Sequence, residues 1–472
     1  MSIHPGIHPG YRQFLDGYAD LLQRRQVKAP IRGIENVPTL HSGMFGYQRD
    51  VTGFLLNVGS GAAFLDTGLG KSLVSLEWGR VVAEHCDKPV LMLAPLAVAP
   101  QHVREAKKFG LDARVVRDQS EVGPGVNVTN YAKIDHFNPA DFAGVVLDES
   151  SIIKNFTGAT SRKLIQMFAA TPFRLACTAT PAPNDHMELG QHSQFLGVMP
   201  SNEMLSRWFI ADQMNMGRYR LKGHAVKPFW NWVASWARCI SKPSDLGYSD
   251  DGFVLPKLNV QRHVVAADIS IGAEDTLFRI PETSATSIHR EKRLTADQRA
   301  AKIAEIVSAE PDEAWVIWCD TDYEADALTA LIPEAVEVRG SMPEQVKEDR
   351  LVAFSEGNAR IIISKPTVAG FGLNWQHCAR VAFVGLSFSY EQFYQAVRRC
   401  WRFGQTREVE CHIAMADTER NIWDVVMRKS GDHEAMKAEM YAAMRRSHET
   451  REIKIDYQPT QPMRLPAFMG AA

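Results

Sequence analysis

The segment Leu65-Asp66-Thr67-Gly68-Leu69-Gly70-Lys71-Ser72 joins an apolar run to a helical stretch that begins at Leu73. A strand, a glycine turn and a helix in this order cradle phosphate, because glycines let backbone amides approach phosphate oxygens and the helix start adds a positive dipole. Lys71 supplies charge and the Ser72 hydroxyl can bind magnesium, although Leu65 stands where the strict motif has glycine. The segment predicts a phosphate site formed by Thr67, Gly68, Leu69, Gly70, Lys71 and Ser72.

A second apolar run, Val145-Val146-Leu147, ends in the carboxylate pair Asp148-Glu149. If this strand ends beside the glycine turn, Asp148 can hold the magnesium shell together with Ser72, and Glu149 can orient and deprotonate an attacking water. The alternative is a surface Asp-Glu pair that starts a helix. Strand, glycine turn and spacing agree, so the pattern favours a site that hydrolyses a nucleoside triphosphate.

Short β-branched apolar runs alternate with helical stretches in two parts of the chain, from about residue 50 to 180 and again after residue 255. This alternation is typical of parallel sheets covered by helices. The segment between them carries four tryptophans among Arg and Lys residues, which favours a helical insert. The predicted fold class is α/β, with two tandem parallel-sheet lobes and a helical insert.

The pattern divides the chain into five parts. An N-terminal extension with a repeated Ile-His-Pro-Gly is expected to form turns, because Pro and Gly interrupt helices and strands. An amphipathic helix around Ala435–Arg446 precedes a proline-containing tail. The expected domains are the N-terminal extension 1–40, the first lobe 41–185, the helical insert 186–250, the second lobe 251–430, and the C-terminal helix and tail 431–472.

Length and composition limit the remaining classes of protein. A chain of 472 residues exceeds what one hydrophobic core usually organises. The formal net charge of -2 neither supports nor excludes a nucleic-acid partner. Seven scattered cysteines without a CxxC pair argue against a zinc site or a disulfide framework. No run approaches the roughly 18 apolar residues of a membrane span, so we expect a soluble protein of the cytoplasm.

The segment from Gln395 to Gln405, in the second lobe, is expected to face the phosphate site of the first lobe across a cleft. Arg399 and Arg402 lie three residues apart, which places both on one face of a helix. Arginines contributed by a second lobe can contact the γ-phosphate and sense closure of the two lobes. A solvated basic helix is the alternative, which the phosphate motif of the first lobe disfavours.

These motifs, in this order, resemble the Swi/Snf-like branch of the superfamily 2 helicases, especially the compact helicase-like proteins of phages and prophages. The resemblance runs from about Met44 to Ile422. In the first half it rests on Tyr47-Gln48, Ala94-Pro95-Leu96 with Gln101 and Glu105–Phe109, Thr129-Asn130-Tyr131, Asp148-Glu149-Ser150-Ser151 with Lys154-Asn155, and Thr178-Ala179-Thr180-Pro181. In the second half it rests on Gly340-Ser341 with Arg350 and Phe354, Ala369-Gly370-Phe371-Gly372-Leu373-Asn374, and Gln395–Gln405.

The resemblance implies two RecA-like lobes, with ATP and Mg²⁺ in the cleft between them. It assigns adenine recognition to Gln48 and adds Gly370 to the nucleotide-binding residues. The implied catalytic residues are Lys71, Asp148, Glu149, Gln395, Arg399 and Arg402, and the implied magnesium ligands are Ser72 and Asp148.

This chain departs from the family pattern at three positions. Ser151 replaces the histidine of the DExH box, so a hydroxyl must make the usual contact with the coupling motif, Thr178-Ala179-Thr180-Pro181, or that contact is lost. Phe371 replaces a glycine, which changes backbone freedom beside the expected DNA path. Leu65 replaces the first glycine of the phosphate motif. None of the three removes a residue that the chemistry requires.

The resemblance also implies DNA, duplex or branched, held by its phosphodiester backbone without reading of sequence. The expected contacts are Pro95, Thr129, Asn130, Gly340, Ser341, Ser364 and Lys365. Arg218, Arg220, Lys222 and Lys227 of the insert either widen this grip or form a solvated face.

The function implied by the resemblance is an ATP-dependent DNA translocase that works as a monomer. Two alternatives stay open: a strand-separating helicase, and a nucleotide-switched DNA-binding protein with vestigial hydrolysis. The expected setting is the cytoplasm of a bacterial or phage-infected cell, with replication, recombination or repair proteins of phage or host as further partners.

Overall fold

The computed structural model describes residues 28–95, 98–154, 158–182, 185–211, 219–267, 287–370 and 373–452. Expectations for the N-terminal repeat, the proline-containing tail, Leu96, Asn155, Arg218, Phe371 and Gly372 lie outside the described residues. Within the described ranges, two parallel sheets and one antiparallel hairpin account for the β-structure.

The first lobe is built on a seven-stranded parallel sheet with the strand order β3-β4-β2-β5-β6-β1-β9. Its strands, with the hairpin strands β7 and β8, are β1 Ser60–Leu65, β2 Val90–Ala94, β3 Ala113–Val115, β4 Val126–Asn130, β5 Gly144–Asp148, β6 Phe173–Cys177, β7 Phe209–Ala211, β8 Tyr219–Leu221 and β9 Ala237–Ile240. Its helices are α1 Gly46–Val58, α2 Lys71–Cys86, α3 Ala99–Lys108 and α4 Ala159–Met167.

The segment expected to be a helical insert contains three helices, α5 Leu189–Phe195, α6 Ser201–Trp208 and α7 Val226–Ala234. It also contains the antiparallel hairpin β7–β8. Its last strand, β9, pairs in parallel with β1 at the edge of the first sheet. The chain therefore leaves the first sheet, forms the helical layer and returns to the same sheet before it enters the second lobe.

The second lobe is built on a six-stranded parallel sheet with the strand order β10-β15-β14-β11-β13-β12. Its strands are β10 Leu258–Val265, β11 Trp315–Cys319, β12 Val336–Val338, β13 Ile361–Ser364, β14 Arg380–Val384 and β15 Val409–Ala416. Its helices are α8 Ser287–Leu294, α9 Ala296–Ala309, α10 Asp322–Leu331, α11 Glu344–Ser355, α12 Pro366–Ala369 and α13 Tyr390–Val397.

The interior strands of both sheets are buried on both faces, which explains why they are continuous apolar runs. Along β2, Leu91 and Leu93 point into one core cluster, and Val90 and Met92 point into another on the opposite face. Burial of each large aliphatic side chain stabilises the fold by about 1.5–3 kcal/mol. The predicted architecture of two tandem RecA-like α/β lobes is thereby confirmed, and the predicted domain boundaries stay predictions.

The C-terminal helix α14 spans Arg420–Glu452 and connects the two lobes. It begins shortly after β15 of the second lobe, and its distal half packs on the first lobe. There Met436, Met440 and Ala443 join the apolar cluster that contains the tryptophans of α7. Trp230 Nε1 also donates a hydrogen bond to Glu439 Oε2 at 2.7 Å. None of the helices in the described ranges has the length and apolar character needed to cross a membrane.

Candidate active site

The phosphate turn between β1 and α2 has backbone geometry that requires glycine. Gly68 and Gly70 adopt φ angles of 94° and 75°, which L-residues rarely adopt. A Cβ atom on Gly70 would lie 2.2 Å from Gln48 Nε2, so a side chain there would have to displace the Gln48 amide. Helix α2 begins at Lys71, whose Nζ donates to Leu65 O at 2.9 Å and thus folds back over the turn.

Gln48 connects the start of α1 to the phosphate turn. Its Oε1 accepts from Phe45 N at 2.9 Å, and its Nε2 donates to Leu69 O at 3.1 Å. Tyr47 Oη donates to the same carbonyl at 3.0 Å, and burial raises the pKa of Tyr47, so it remains a donor. Leu69 therefore contributes its carbonyl to the turn, while its own side chain is buried.

Asp148 lies at the carboxyl end of β5 and contacts a histidine that the sequence motifs do not include. His102 of α3 places Nε2 2.8 Å from Asp148 Oδ2, and both side chains are buried. Burial alone would raise the pKa of Asp148, but the neighbouring His102 and Lys71 hold it below its usual value. Tyr131 Oη also donates to Asp148 O at 2.7 Å. The magnesium-ligand candidate is thus held ionised in a fixed position.

Glu149 occupies a strained position immediately after β5. Its φ of 55° lies in the left-handed region, which costs a non-glycine residue roughly 1 kcal/mol or more. The side chain is buried, and among the described residues nothing pairs with its Oε2. Burial raises the pKa of Glu149; Lys71 opposes this shift and Asp148 adds to it. A buried, unpartnered carboxylate of raised pKa suits proton abstraction from water.

Arg399 and Arg402 lie in the turns that follow α13, not on one face of a helix as expected, and they meet at one backbone carbonyl. The Nη1 atoms of both donate to Leu373 O at 3.1 Å. Arg399 Nη2 also donates to Gln395 Oε1 at 3.0 Å. Burial lowers the pKa of Arg402, and repulsion from Arg399 and Arg398 lowers it further. A bound anion would relieve this repulsion, so the arrangement favours phosphate.

One cavity between the two lobes brings these groups together, with a volume of about 1210 Å³ that includes space open to solvent. The predicted site residues on its wall are Gln48, Thr67, Gly68, Gly70, Lys71, Ser72, Asp148, Glu149, Arg399 and Arg402. Three others lie off that wall: Leu69 is buried behind it, Gly370 packs against the Pro366 carbonyl, and Gln395 lies behind Arg399. The oxygens of Ser72 and Asp148 on one wall fit the hard-oxygen preference of magnesium.

Gln395 belongs to a chain of contacts that crosses between the lobes. Its Nε2 donates to Thr180 Oγ1 at 3.4 Å, and Thr180 Oγ1 donates to Glu391 Oε1 at 3.3 Å. Glu391 also forms an ion pair with Lys154, which lies shortly after the carboxylate pair. Sequence reasoning named Gln395 but missed Glu391, which lies one helical turn before it.

Three phenylalanines at the cavity mouth were also missed from the sequence. Phe45, Phe253 and Phe403 come from distant parts of the chain. The ring centroids of Phe253 and Phe403 lie 4.7 Å apart, and those of Phe45 and Phe253 lie 5.3 Å apart. Phe403 occupies an unspecified position inside the Gln395–Gln405 motif, so motif matching gave no signal for it.

The residues expected at DNA follow the carboxyl ends of parallel strands, as ligand-binding residues of such sheets do. Gly340 and Ser341 are exposed, and Pro95 is half-buried. Lys365 pairs with Asp322 at 2.9 Å. Thr129, Asn130 and Ser364 are buried, and two of them have internal partners: Asn130 Oδ1 accepts from Ala132 N, and Ser364 Oγ donates to Val338 O.

The basic residues of the insert differ in exposure. Arg220 and Lys227 are exposed, whereas Lys222 donates to the carbonyls of Ser206 and Arg207. The exposed hydrogen-bond donors among the residues expected at DNA therefore lie mainly at Gly340 and Ser341, just before α11, and at Arg220 on the hairpin strand β8.

Comparison with known proteins gives the following. Residues 298–404 match the family described as "Helicase conserved C-terminal domain". The chain is similar to the structure "Sulfolobus solfataricus SWI2/SNF2 ATPase core in complex with dsDNA", with 17% identity, coverage of 89% of this chain and 99% of that chain, and a TM-score of 0.41. No curated protein matches. The second lobe is thus similar to the C-terminal domain of helicases, and Arg399 and Arg402 lie within the matched residues.

Proposed function

We propose that this protein is a DNA-dependent ATPase that uses ATP hydrolysis to move along duplex or branched DNA. The proposal rests on one observation: Lys71 and Glu149 of the first lobe line the same cavity as Arg399 and Arg402 of the second. Closure of the two lobes on a triphosphate would complete the site, so hydrolysis and lobe movement would be linked. The helicase-family match of the second lobe supports the same reading.

The triphosphate would lie at the start of α2, where Lys71 can exchange its contact with Leu65 O for a phosphate oxygen. Water would attack the γ-phosphorus, its proton would pass to Glu149, and the bond to the β-phosphate oxygen would break. Arg399 and Arg402 would stabilise the charge of the transferring phosphoryl group. Magnesium held by Ser72 and Asp148 would neutralise phosphate charge.

The DNA part of the proposal is supported by the order of motifs and by the exposed positions of Gly340 and Ser341. Backbone and hydroxyl donors position a protein on phosphates without reading bases. The buried positions of Thr129, Asn130 and Ser364 indicate that these three shape the strand ends behind such contacts. We infer binding without sequence preference, by a protein that acts as a monomer.

The test is the steady-state rate of ATP hydrolysis with single-stranded, duplex, forked or four-way DNA, and with RNA as the control. We expect duplex or branched DNA to raise the rate severalfold. The stimulation should fall as salt rises, because phosphate contacts release counterions. A rate that is indifferent to every nucleic acid would contradict the proposal.

Translocation and strand separation are distinguished by two substrates. A translocase displaces a third strand from a DNA triplex, whereas a strand-separating helicase also unwinds a forked duplex. We expect triplex displacement without fork unwinding, and Glu149→Gln serves as the inactive control. DNA binding that responds to ATP in a protein without turnover would instead identify a nucleotide-switched binding protein.

A further inference from the structure

Asp66, in the phosphate turn, receives contacts from the second lobe. Tyr394 Oη on α13 donates a hydrogen bond to Asp66 Oδ1. Arg398 Nη2 lies 3.4 Å from the same oxygen and donates to Thr67 O at 2.6 Å. Thr67 N in turn donates to Asp66 Oδ1 at 2.7 Å. Two residues of the phosphate turn are thus held from the opposite lobe.

The C-terminal helix adds a third contact. Lys437 on α14 places Nζ 3.3 Å from Asp66 Oδ2 and 3.3 Å from Tyr394 Oη. Lys437 and Arg398 are both buried. Burial raises the pKa of Asp66 when considered alone, but the charges of Lys437 and Arg398 hold it below its usual value. We call Asp66, Tyr394, Arg398 and Lys437 the Asp66 cluster.

The composition of the cluster indicates a positioning function. Two buried cations share one carboxylate, and such an arrangement is seldom more stable than apolar packing of the same volume. Polar networks of this kind fix one geometry, because each partner must be placed to satisfy the others. The geometry fixed here is that of the turn that begins at the end of β1 and leads into Lys71.

The helix that carries Lys437 is itself fixed to both lobes. Its distal half is anchored in the first-lobe core through Met436 and Met440, and through the hydrogen bond between Glu439 and Trp230. Lys437 therefore approaches Asp66 from a helix whose position depends on both lobes. A change in lobe arrangement would change the contacts on the phosphate turn.

We propose that the Asp66 cluster positions the phosphate turn for ATP, so that the C-terminal helix is a functional part of the nucleotide site. Tyr394, Arg398 and Lys437 act through Asp66 and Thr67, and are positioning residues. The proposal rests on the proposed ATPase function and extends it to α14, which the sequence motifs do not include. Its consequence is that loss of the Lys437 charge weakens ATP binding in a folded protein.

The first test compares Lys437→Met with Arg428→Met, which removes an exposed cation from the same helix. Binding of a fluorescent ATP analogue and the KM for ATP are measured on the full chain. We expect Lys437→Met to weaken nucleotide binding about tenfold, or about 1.4 kcal/mol, with a smaller change in kcat. Arg428→Met should match the wild type, and Lys437→Arg should restore most of the affinity.

The second test asks whether Lys437 acts through Asp66. Asp66→Asn is measured alone and combined with Lys437→Met. If the two residues act together, the double variant should bind ATP about as weakly as Asp66→Asn alone. Additive losses would overturn the proposal, because they would show that Lys437 acts independently of Asp66.

Two further measurements, on Tyr394→Phe and on the wild type, separate a failure of the positioning proposal from misfolding and from a failure of the proposed function. Tyr394→Phe removes only the hydroxyl, so it tests the cluster even if Lys437→Met does not fold; we expect its KM to rise about threefold. Wild-type affinity in Tyr394→Phe, or in folded Lys437→Met, would overturn the positioning proposal. If the wild type itself neither binds nor hydrolyses ATP, the proposed function fails instead.

Discussion

Lys154 of the first lobe forms an ion pair with Glu391 of α13 in the second lobe. Glu391 also accepts a hydrogen bond from Thr180 at 3.3 Å. In the helicase family that this sequence resembles, a histidine occupies the position of Ser151 and contacts the coupling motif. In this chain Glu391 contacts both Lys154, three residues beyond Ser151, and Thr180 of the coupling motif, so the two regions are linked through the second lobe. The structure thus offers a contact that can replace the missing histidine.

Glu391→Gln should lower kcat about tenfold while ATP affinity is retained, because residues that couple across one network contribute about 0.5–3 kcal/mol. The substitution preserves shape and removes the charge that Lys154 contacts. Steady-state kinetics in the presence of duplex DNA measure the effect. Glu356→Gln, at an exposed position just after α11, is the matched control. An unchanged kcat would show that this ion pair does not couple the lobes.

Glu149→Gln should bind ATP and hydrolyse it about 10²–10⁴-fold more slowly, because it removes the proton acceptor. Lys71→Ala should weaken binding as well as turnover, since it removes a charge from the phosphate site. Single-turnover hydrolysis and nucleotide binding separate the two effects. Normal hydrolysis by Glu149→Gln would refute the assignment of Glu149 as the base.

Arg402→Ala should spare ATP binding and lower the hydrolysis rate by about 10³-fold or more, as for arginine fingers in other nucleotide hydrolases. Arg402→Lys should restore little, because lysine cannot reproduce the planar guanidinium contacts. Arg428→Ala, at an exposed position of α14, is the control. If Arg402→Ala hydrolyses ATP at the wild-type rate, the arginine acts elsewhere than at the γ-phosphate.

His192 predicts a pH-dependent stability. Burial lowers the pKa of His192 to about 4, so the folded protein keeps the ring neutral beside Ser150. The unfolded chain binds a proton near pH 6.5, so the free energy of unfolding falls as pH drops from about 6.5 towards about 4.

Relative to His192→Gln, the wild type should lose about 1.4 kcal/mol of stability between pH 7.5 and 5.5. Urea unfolding at both pH values measures this difference. An equal pH dependence in the two proteins would show that the pKa of His192 is not lowered in the folded protein.

The fold was predictable because parallel strands buried on both faces leave long apolar runs in the sequence. Val145-Val146-Leu147 and Ile361-Ile362-Ile363 both form interior strands that are buried throughout. The phosphate turn was predictable for a related reason, since only glycine tolerates the φ angle and close approach found at Gly70.

Residues that act only through tertiary contacts gave no such signal. His102 approaches Asp148 from a different helix, and Lys437 reaches Asp66 from a helix more than 350 residues further along the chain. No local spacing connects these pairs. The prediction of a helical insert likewise missed β9, because its pairing with β1 depends on the whole lobe.

We propose that ATP is hydrolysed in the cleft between the two lobes and that DNA accelerates this reaction. The most direct measurement is the steady-state rate of ATP hydrolysis by the full chain, with and without saturating duplex DNA, for the wild type and Glu149→Gln. We predict a wild-type rate that rises severalfold with DNA, and a rate for Glu149→Gln that is about 10²-fold or more below the wild-type rate under either condition. A wild-type rate that does not respond to DNA, or that survives Glu149→Gln, would contradict this proposal.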